Sequence, residues 1–239
     1  MFINLSDLEI LEHAATPIGT IYLGRRRAIH KSQWIYQIFI DGDLLMSSAD
    51  PVSEKQLSTS ALALHQSDGP LQILIGGLGL GHTADAALTE SRVSHVRVIE
   101  KMDFVIDWMN RGLLPLSKKL VNDKRLEINQ GDVYQLLMAP PSHQYDLILV
   151  DVDHSPDNRL SEASKPFYSL QGQRQAACHL NPGGILAVWS AHDNDEFLRT
   201  MEEVYLRTYR EHVTWEDTET PDERFHNVLF FGVQAPAKK

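Results

Sequence analysis

Acidic and imidazole side chains follow directly after an apolar run in the second half of the chain. The run Tyr145–Val150 leads into Asp151-Val152-Asp153-His154. Carboxylates and imidazoles are the groups that most readily take a proton near neutral pH. A strand buried on both faces would bring the Asp151 carboxylate out at its carboxyl end, with the other two residues on the following loop. We therefore predict that Asp151, Asp153 and His154 perform acid–base chemistry.

A glycine-rich turn predicts the binding of a nucleotide-type ligand. An apolar run ends in Gly76-Gly77-Leu78-Gly79-Leu80-Gly81, and the next apolar run ends in Glu100. Glycines allow a tight turn and a close approach of the backbone to a ligand, so we expect Gly77, Gly79 and Gly81 to contact it. An acid about 20 residues further on can accept hydrogen bonds from ribose hydroxyls. The alternatives are a turn that binds nothing and a Glu100 that caps the next helix.

The third predicted strand ends in another acid, Asp132, within Gly131-Asp132-Val133. Asp132 has the side chain of a helix N-cap, and it could also accept the exocyclic amine of adenine. The two roles are compatible. We add Lys101 and Val133, which adjoin the two acids Glu100 and Asp132, to the predicted ligand-binding residues.

Three histidines raise the question of a metal site. His82, His154 and His192 all fall just beyond predicted strand ends, near Asp151 and Asp153. These are side chains that bind metal ions. However, three separate loops would have to converge, and no HxH or HxxxH spacing supports a shared ligand set. We therefore predict no metal.

The elements that would position these residues alternate between strand and helix after residue 70. Apolar patterns predict strands at 72–76, 95–100, 126–130, 145–151 and 184–190, and helices at 82–90, 102–114, 132–138, 166–180 and 194–207. Strands separated by helices imply a parallel, doubly wound sheet, in which ligands bind beyond the carboxyl ends of the strands. The stretches 211–216 and 227–233 predict an antiparallel pair at one edge of that sheet.

The first part of the chain has a different pattern. Apolar runs occupy 18–23, 34–40 and 44–47, and Asp41-Gly42 between the last two is typical of a hairpin turn. The triplet Arg25-Arg26-Arg27 suits the solvated tip of a hairpin, and 51–65 has helical spacing. We predict an N-terminal β-hairpin unit with a linking helix over 1–66 and a ligand-binding domain over 67–239.

Composition limits the partners of this 239-residue chain. Its formal net charge of -10 argues against nucleic acid, because such binders need a basic face. The first ten residues lack the basic and apolar segments of a signal peptide. No apolar run approaches the length of about 18 residues that spans a bilayer. We expect a cytoplasmic protein that acts on a small molecule, without a membrane or nucleic-acid partner.

Taken together, these motifs resemble spermidine synthases. The resemblance rests on Ile75–Gly81, Val98–Glu100, Gly131-Asp132, Tyr145–Asp151, Phe167-Tyr168, Pro182–Leu186 and the hairpin Ile40–Ser47. It implies the Rossmann-like class I S-adenosylmethionine methyltransferase fold, an α/β fold with a mostly parallel seven-stranded sheet, helices on both faces and a small N-terminal antiparallel β unit. It also implies ribose binding by Glu100, adenine binding by Asp132, an acceptor-side position for Asp151, and a possible homodimer.

The sequence also departs from the family, which transfers an aminopropyl group from decarboxylated S-adenosylmethionine to putrescine. The family's turn GGGDG carries an aspartate that holds the aminopropyl amine, whereas Gly77–Gly81 has no acid. The family's Tyr-His-Glu cluster is replaced by Leu57–Leu62, and its DSTDP loop by Asp151–Pro156. A cationic diamine needs carboxylates to replace its hydration, so these changes weaken the case for a polyamine site.

We therefore expect a transferase that uses S-adenosylmethionine, or its decarboxylated form, on a small-molecule amine or hydroxyl. The sequence favours methyl transfer, because Gly77-Leu78-Gly79-Leu80-Gly81 is the GxGxG of ordinary methyltransferases. Because the glycine turn has no acid, we also expect no advantage for the decarboxylated donor over S-adenosylmethionine. The first alternative is a true polyamine aminopropyltransferase, and the second is a non-catalytic nucleoside-binding or scaffold protein.

Overall fold

Two β-sheets form the framework of the chain. A computed structural model describes residues 8–16, 19–29, 33–152, 154–158, 162–218, 220 and 222–237. The smaller sheet is antiparallel and follows chain order. Its strands are β1 (Glu9–Thr16), β2 (Gly19–Arg27), β3 (Trp34–Ile40) and β4 (Asp43–Ser47). Of these, β1 was not predicted from the sequence.

The predicted turn between β3 and β4 is confirmed. Asp41 and Gly42 both have positive φ, at 49° and 98°, as a two-residue hairpin turn with primed geometry requires. The prediction of a solvated tip at residues 25–27 is wrong, because these arginines lie within β2. Arg25 forms an ion pair with Glu9, and its guanidinium lies 4.4 Å from the centre of the Trp34 ring.

The larger sheet has the mixed, mostly parallel topology that the sequence predicts. Its spatial order is β10-β11-β9-β8-β5-β6-β7, and only the pairs β9–β11 and β10–β11 are antiparallel. The strands are β5 (Leu71–Gly76), β6 (Val93–Glu100), β7 (Leu126–Gln130), β8 (Tyr145–Val150), β9 (Leu180–Ser190), β10 (Arg207–Glu216) and β11 (Arg224–Val233). The antiparallel pair at one edge is therefore confirmed.

Seven α-helices and one 3-10 helix accompany these strands in the part of the chain that the structure describes. The α-helices are α1 (Val52–Leu64), α2 (His82–Leu88), α3 (Asp103–Asn110), α4 (Ser117–Leu120), α5 (Val133–Met138), α6 (Leu170–Ala177) and α7 (Asp195–Glu202). The single helix predicted at 166–180 is wrong. A 3-10 helix (Glu162–Tyr168) comes first, and Ser169 then starts α6 as its N-cap by accepting the Gly172 N–H. None of the described helices has the length and apolar character that crossing a bilayer requires.

One apolar cluster joins the two sheets. Fully buried side chains from β2 and β3, such as Leu23 and Ile38, belong to the same cluster as Leu57 of α1 and Ile73 of β5. The Ser58 hydroxyl also donates a hydrogen bond of 2.7 Å to the carbonyl of Thr83 in α2. This packing fixes α1 beside the carboxyl ends of the strands. The division of the chain at residues 66 and 67 stays a prediction.

Substitutions at two glycines can show how tightly the glycine turn after β5 is packed. Gly77 and Gly112 both have positive φ, at 92° and 80°, but only Gly77 faces protein atoms, because a Cβ there would collide with the Asp151 carbonyl oxygen. We expect Gly112→Ala to lower the free energy of unfolding by about 1–2 kcal/mol, from backbone strain alone. Gly77→Ala should cost about 1–3 kcal/mol more, from the collision. Denaturant unfolding measures both variants, and equal losses would contradict this packing.

Candidate functional site

A cavity of about 190 Å³ opens at the carboxyl ends of β5 and β8, beside the N-terminal sheet. Five parts of the chain line it: β4, α1, the glycine turn with the start of α2, the loop after β8, and the end of β9. The polar and large side chains among them include Met46, Glu54, His82, Asp151, His154 and Trp189. Two of the three residues predicted for acid–base chemistry, Asp151 and His154, therefore meet in one cavity. Asp153 lies outside the described residues.

Asp151 lines this cavity and is held by a neighbouring hydroxyl. Its carboxylate accepts a 2.6 Å hydrogen bond from the hydroxyl of Thr83, the second residue of α2. The residue keeps some solvent exposure, but its carboxyl group lies below the surface, and this burial raises its pKa. The Thr83 hydrogen bond partly opposes that shift. Asp151 thus combines a fixed orientation with a raised pKa.

Glu54, in the first turn of α1, is a second carboxylate in the cavity that sequence reasoning missed. Burial raises its pKa to about 7, and the negative charge of Asp151 adds to the rise. The Ser53 hydroxyl donates to Glu54 at 3.0 Å and itself accepts a hydrogen bond from the Trp189 indole at 2.9 Å. One signal was available: Glu54 lies three residues before Leu57, so an acid occupies the buried stripe of the helix.

Among the residues that the structure describes, no lysine or arginine forms an ion pair with Glu54 or Asp151. Lys55 is near enough to influence Glu54, but it is exposed. Buried carboxylates are normally paired, because their loss of hydration is costly. Two largely buried acids thus share the cavity without a paired cation in the described part of the chain.

His82 begins α2 and also lines the cavity. Burial is the main cause that lowers its pKa to about 4, so the imidazole is neutral at physiological pH. Of the other histidines considered as metal ligands, His154 lines the cavity, whereas His192 is exposed and outside the lining. Within the described ranges, no group of three or more His, Cys, Asp or Glu side chains is placed to hold a metal ion.

The glycines of the turn pack mainly against the protein itself. Gly77 touches the Asp151 carbonyl, and a Cβ on Gly81 would be 2.5 Å from Leu120 Cδ1. Gly79, with φ of 49°, lines the cavity, and a Cβ there would be 3.4 Å from the Met46 sulfur. Intramolecular packing thus explains Gly77 and Gly81, and only Gly79 of the three faces the cavity. Ligand contact by all three glycines stays a prediction.

Glu100 and Asp132 both bind backbone amides. Glu100 accepts N–H hydrogen bonds from Leu78 at 2.7 Å and Met102 at 2.8 Å, so it ties the glycine turn to the start of α3. Asp132 caps α5 and also pairs with Lys101 at 3.0 Å. The capping role considered for Asp132 is therefore present, whereas no side chain among the described residues caps α3, so Glu100 is not its cap. A carboxylate has about four acceptor sites, so both residues keep capacity for a ligand.

The remaining predicted ligand-binding residue, Val133, has a packing role. Val133 is buried, and its methyl groups fill the space that a Cβ on Gly76 would need. Val133 thus holds the start of α5 against the end of β5. A ligand contact by Val133, like the ligand roles of Lys101, Glu100 and Asp132, stays a prediction.

The chain is similar in sequence to polyamine-synthesising enzymes, although no family model matches it. It is 30% identical to the polyamine aminopropyltransferase of Oceanobacillus iheyensis over 155 residues, which are 64% of this chain and 29% of that protein. It is 22% identical to the spermine synthase of Arabidopsis thaliana over 206 residues, 84% of this chain and 55% of the other. A polyamine aminopropyltransferase of Prochlorococcus marinus is 30% identical over 128 residues, 54% of this chain and 44% of that protein. The chain thus spans about 29–55% of these relatives.

Solved structures establish the class of fold. A spermidine synthase in complex with the transition-state analogue AdoDATO has a TM-score of 0.73 at 16% identity, covering 96% of this chain and 75% of that one. The spermidine synthase of Thermotoga maritima has a TM-score of 0.71 at 16% identity, with 96% and 74% covered. The chain therefore has a Rossmann-like α/β fold with an N-terminal β unit. More particularly, its resemblance to spermidine synthases, drawn above from the motifs, is confirmed.

The raised pKa of Glu54 predicts a dependence of stability on pH. Folding favours the protonated carboxyl, so this contribution is complete below the unfolded value of 4.5 and is lost as pH rises through about 7. At about 1.4 kcal/mol per pH unit, the difference between these values gives up to about 3 kcal/mol. We expect the stability of the ligand-free protein, relative to Glu54→Gln, to fall by up to that amount between pH 4.5 and 8.

Urea unfolding at several pH values measures this difference. The matched control is Glu202→Gln at the exposed end of α7, outside the cavity. A Glu54→Gln curve that runs parallel to the wild-type curve across this range would show that Glu54 ionises as an ordinary surface acid.

Proposed function

We propose that this chain is an aminopropyl-type transferase, which moves an aminopropyl group from decarboxylated S-adenosylmethionine to an amine acceptor. The observation that carries the proposal is the pair of carboxylates, Glu54 and Asp151, in one cavity without a cationic partner in the described part of the chain. Both substrates of such a reaction are cations, whose ammonium groups would replace the lost hydration of these acids.

The relatives support this reading over methyl transfer. They are named polyamine aminopropyltransferase and spermine synthase, and the solved neighbours are spermidine synthases. Methyl transfer, which the sequence favoured, has no support among them. The sequence argument noted missing acids in the glycine turn and at Leu57–Leu62. It did not count Glu54, which lies one turn earlier in α1 and faces the same cavity.

In this proposal Asp151 prepares the acceptor. The amine nitrogen attacks the carbon attached to the sulfonium, so a C–N bond forms while the C–S bond breaks and its electrons return to sulfur. The nitrogen must carry a free lone pair, and Asp151 is placed to take its proton because burial raises the carboxyl pKa. Thr83 holds the carboxylate in one orientation. His154 and, from the sequence, Asp153 are the other candidates for proton transfer.

The remaining work is to hold the donor in line with the acceptor. We assign the adenosine part of the donor to the ends of β6 and β7, where Glu100 and Asp132 keep free acceptor capacity. Lys101 and Val133 flank this region, and Gly79 lies between it and the cavity. The donor supplies the electrophilic carbon, and these residues supply its position.

The first test is donor preference. Because Glu54 supplies a carboxylate to the cavity, we expect decarboxylated S-adenosylmethionine to bind at least about tenfold more tightly than S-adenosylmethionine, whose extra carboxylate would face two acids. A competition titration measures this ratio. Incubation with putrescine and analysis of the product by mass spectrometry then tests turnover. Equal affinities would support methyl transfer, and binding without turnover of either donor would support the nucleoside-binding alternative.

The second test separates the acceptor side from the donor side. Asp151→Asn keeps the size and the Thr83 contact but removes the proton acceptor, so we expect turnover to be abolished. The affinity for methylthioadenosine, which lacks the aminopropyl group, should change less than about threefold. That change is well below the loss of affinity expected from removing one hydrogen bond to a charged group. Calorimetry measures the binding. An equal loss of methylthioadenosine affinity would move Asp151 to the donor site.

A further inference from the structure

His82 is a buried polar side chain without a function in the fold. Within the part of the chain that the structure describes, neither ring nitrogen has a hydrogen-bond partner, and both are shielded from solvent. Leaving a buried polar group unsatisfied costs about 1–3 kcal/mol, so native proteins rarely do so without a reason. The ring also lines the cavity that contains Glu54 and Asp151. An unpaired polar side chain in a cavity points to a ligand that completes its hydrogen bonds.

The surroundings of the ring define what that ligand offers. Burial, and after it Lys55 on α1, disfavours protonation of the imidazole, and Asp85 on α2 opposes these effects only in part. The neutral ring presents one acceptor nitrogen and one donor nitrogen. The acids that share the cavity, Glu54 and Asp151, attract a cation. A primary ammonium group can donate an N–H to the acceptor nitrogen of the ring, and its positive charge suits the two acids.

The glycine turn, Gly77–Gly81, offers no polar side chain to the cavity. Gly79 occupies the turn, and a side chain there would begin 3.4 Å from the Met46 sulfur. That distance is an ordinary contact with Met46 of the N-terminal sheet, but glycine itself supplies no acid at this position. The cavity wall continues directly from Gly79 and Leu80 to His82. The nearest polar side chain beyond the turn is thus His82, with Glu54 in the same cavity.

We propose that His82 is a specificity-determining residue, which together with Glu54 binds the primary ammonium group of the aminopropyl donor. The inference rests on the proposed function and names the residues that recognise the cationic end of the donor in this chain. Glu54 supplies the negative charge, and His82 supplies a neutral acceptor.

The experiment compares two ligands that differ in the ammonium group. Decarboxylated S-adenosylmethionine carries the aminopropyl ammonium, and methylthioadenosine lacks it. We expect His82→Leu to weaken binding of the first about 10- to 100-fold, the scale of one hydrogen bond to a charged group. Binding of methylthioadenosine should stay within about twofold of wild type, and the ligand-free variant should unfold at the same or a higher temperature, because an unsatisfied polar group is removed.

Two further variants serve as controls. His82→Asn keeps a neutral acceptor and donor, so it should retain most of the affinity for the decarboxylated donor, and it covers the case in which the leucine variant fails to fold. His192→Leu removes an exposed histidine outside the cavity and should change neither affinity. Calorimetry gives all the affinities.

The outcomes separate this inference from the proposed function. If wild-type protein does not prefer the decarboxylated donor, the proposed function is wrong and the role of His82 falls with it. If wild type shows the preference and His82→Leu retains it in full, only the assignment of His82 is overturned. Equal losses for both ligands would also overturn it, since His82 would then have a purely structural role.

Discussion

The candidate site depends on the apolar core that joins the two sheets. Leu23 and Ile38 from the small sheet pack in the same cluster as Leu57 of α1 and Ile73 of β5. Because this cluster excludes water, the N-terminal unit is held in a fixed position over the ends of the parallel strands. Glu54 thereby faces Asp151, which comes from a strand almost a hundred residues later in the chain. Without this core the cavity would lack one of its walls and one of its two acids.

The cavity stores unfavourable interactions that the rest of the protein must offset. Two buried carboxylates repel each other, and the His82 ring has no partner in the described part of the chain. Each such group costs about 1–3 kcal/mol, a large fraction of the net stability of a domain. Functional sites are where proteins retain such costs, because a ligand relieves them on binding. The same groups that weaken the ligand-free protein would therefore give a cationic ligand its affinity.

The similarity to polyamine aminopropyltransferases coexists with altered motifs. The acid expected in the glycine turn is absent, and a Cβ on Gly79 would make an ordinary contact of 3.4 Å with the Met46 sulfur. Negative charge in the cavity comes instead from α1, through Glu54, with Ser53 and Trp189 fixing its position. A cationic ligand requires a negative electrostatic potential in the cavity, and the charges that create this potential can come from different elements of the fold. Under the proposed function, motif-by-motif comparison would therefore miss the contribution of Glu54.

Local patterns in the sequence determined most of the secondary structure and the outline of the site. The strand 126–130, the Asp41-Gly42 turn, the Asp132 cap and the position of Asp151 follow from periodicity and turn chemistry, which act over a few residues. Only the tertiary structure decided that Arg25 lies in a strand beside Glu9, and that Glu54 and His82 share a cavity with Asp151. The physical reason is that the burial and the pKa of a side chain depend on which distant elements pack around it. A short-range sequence pattern does not identify those neighbours.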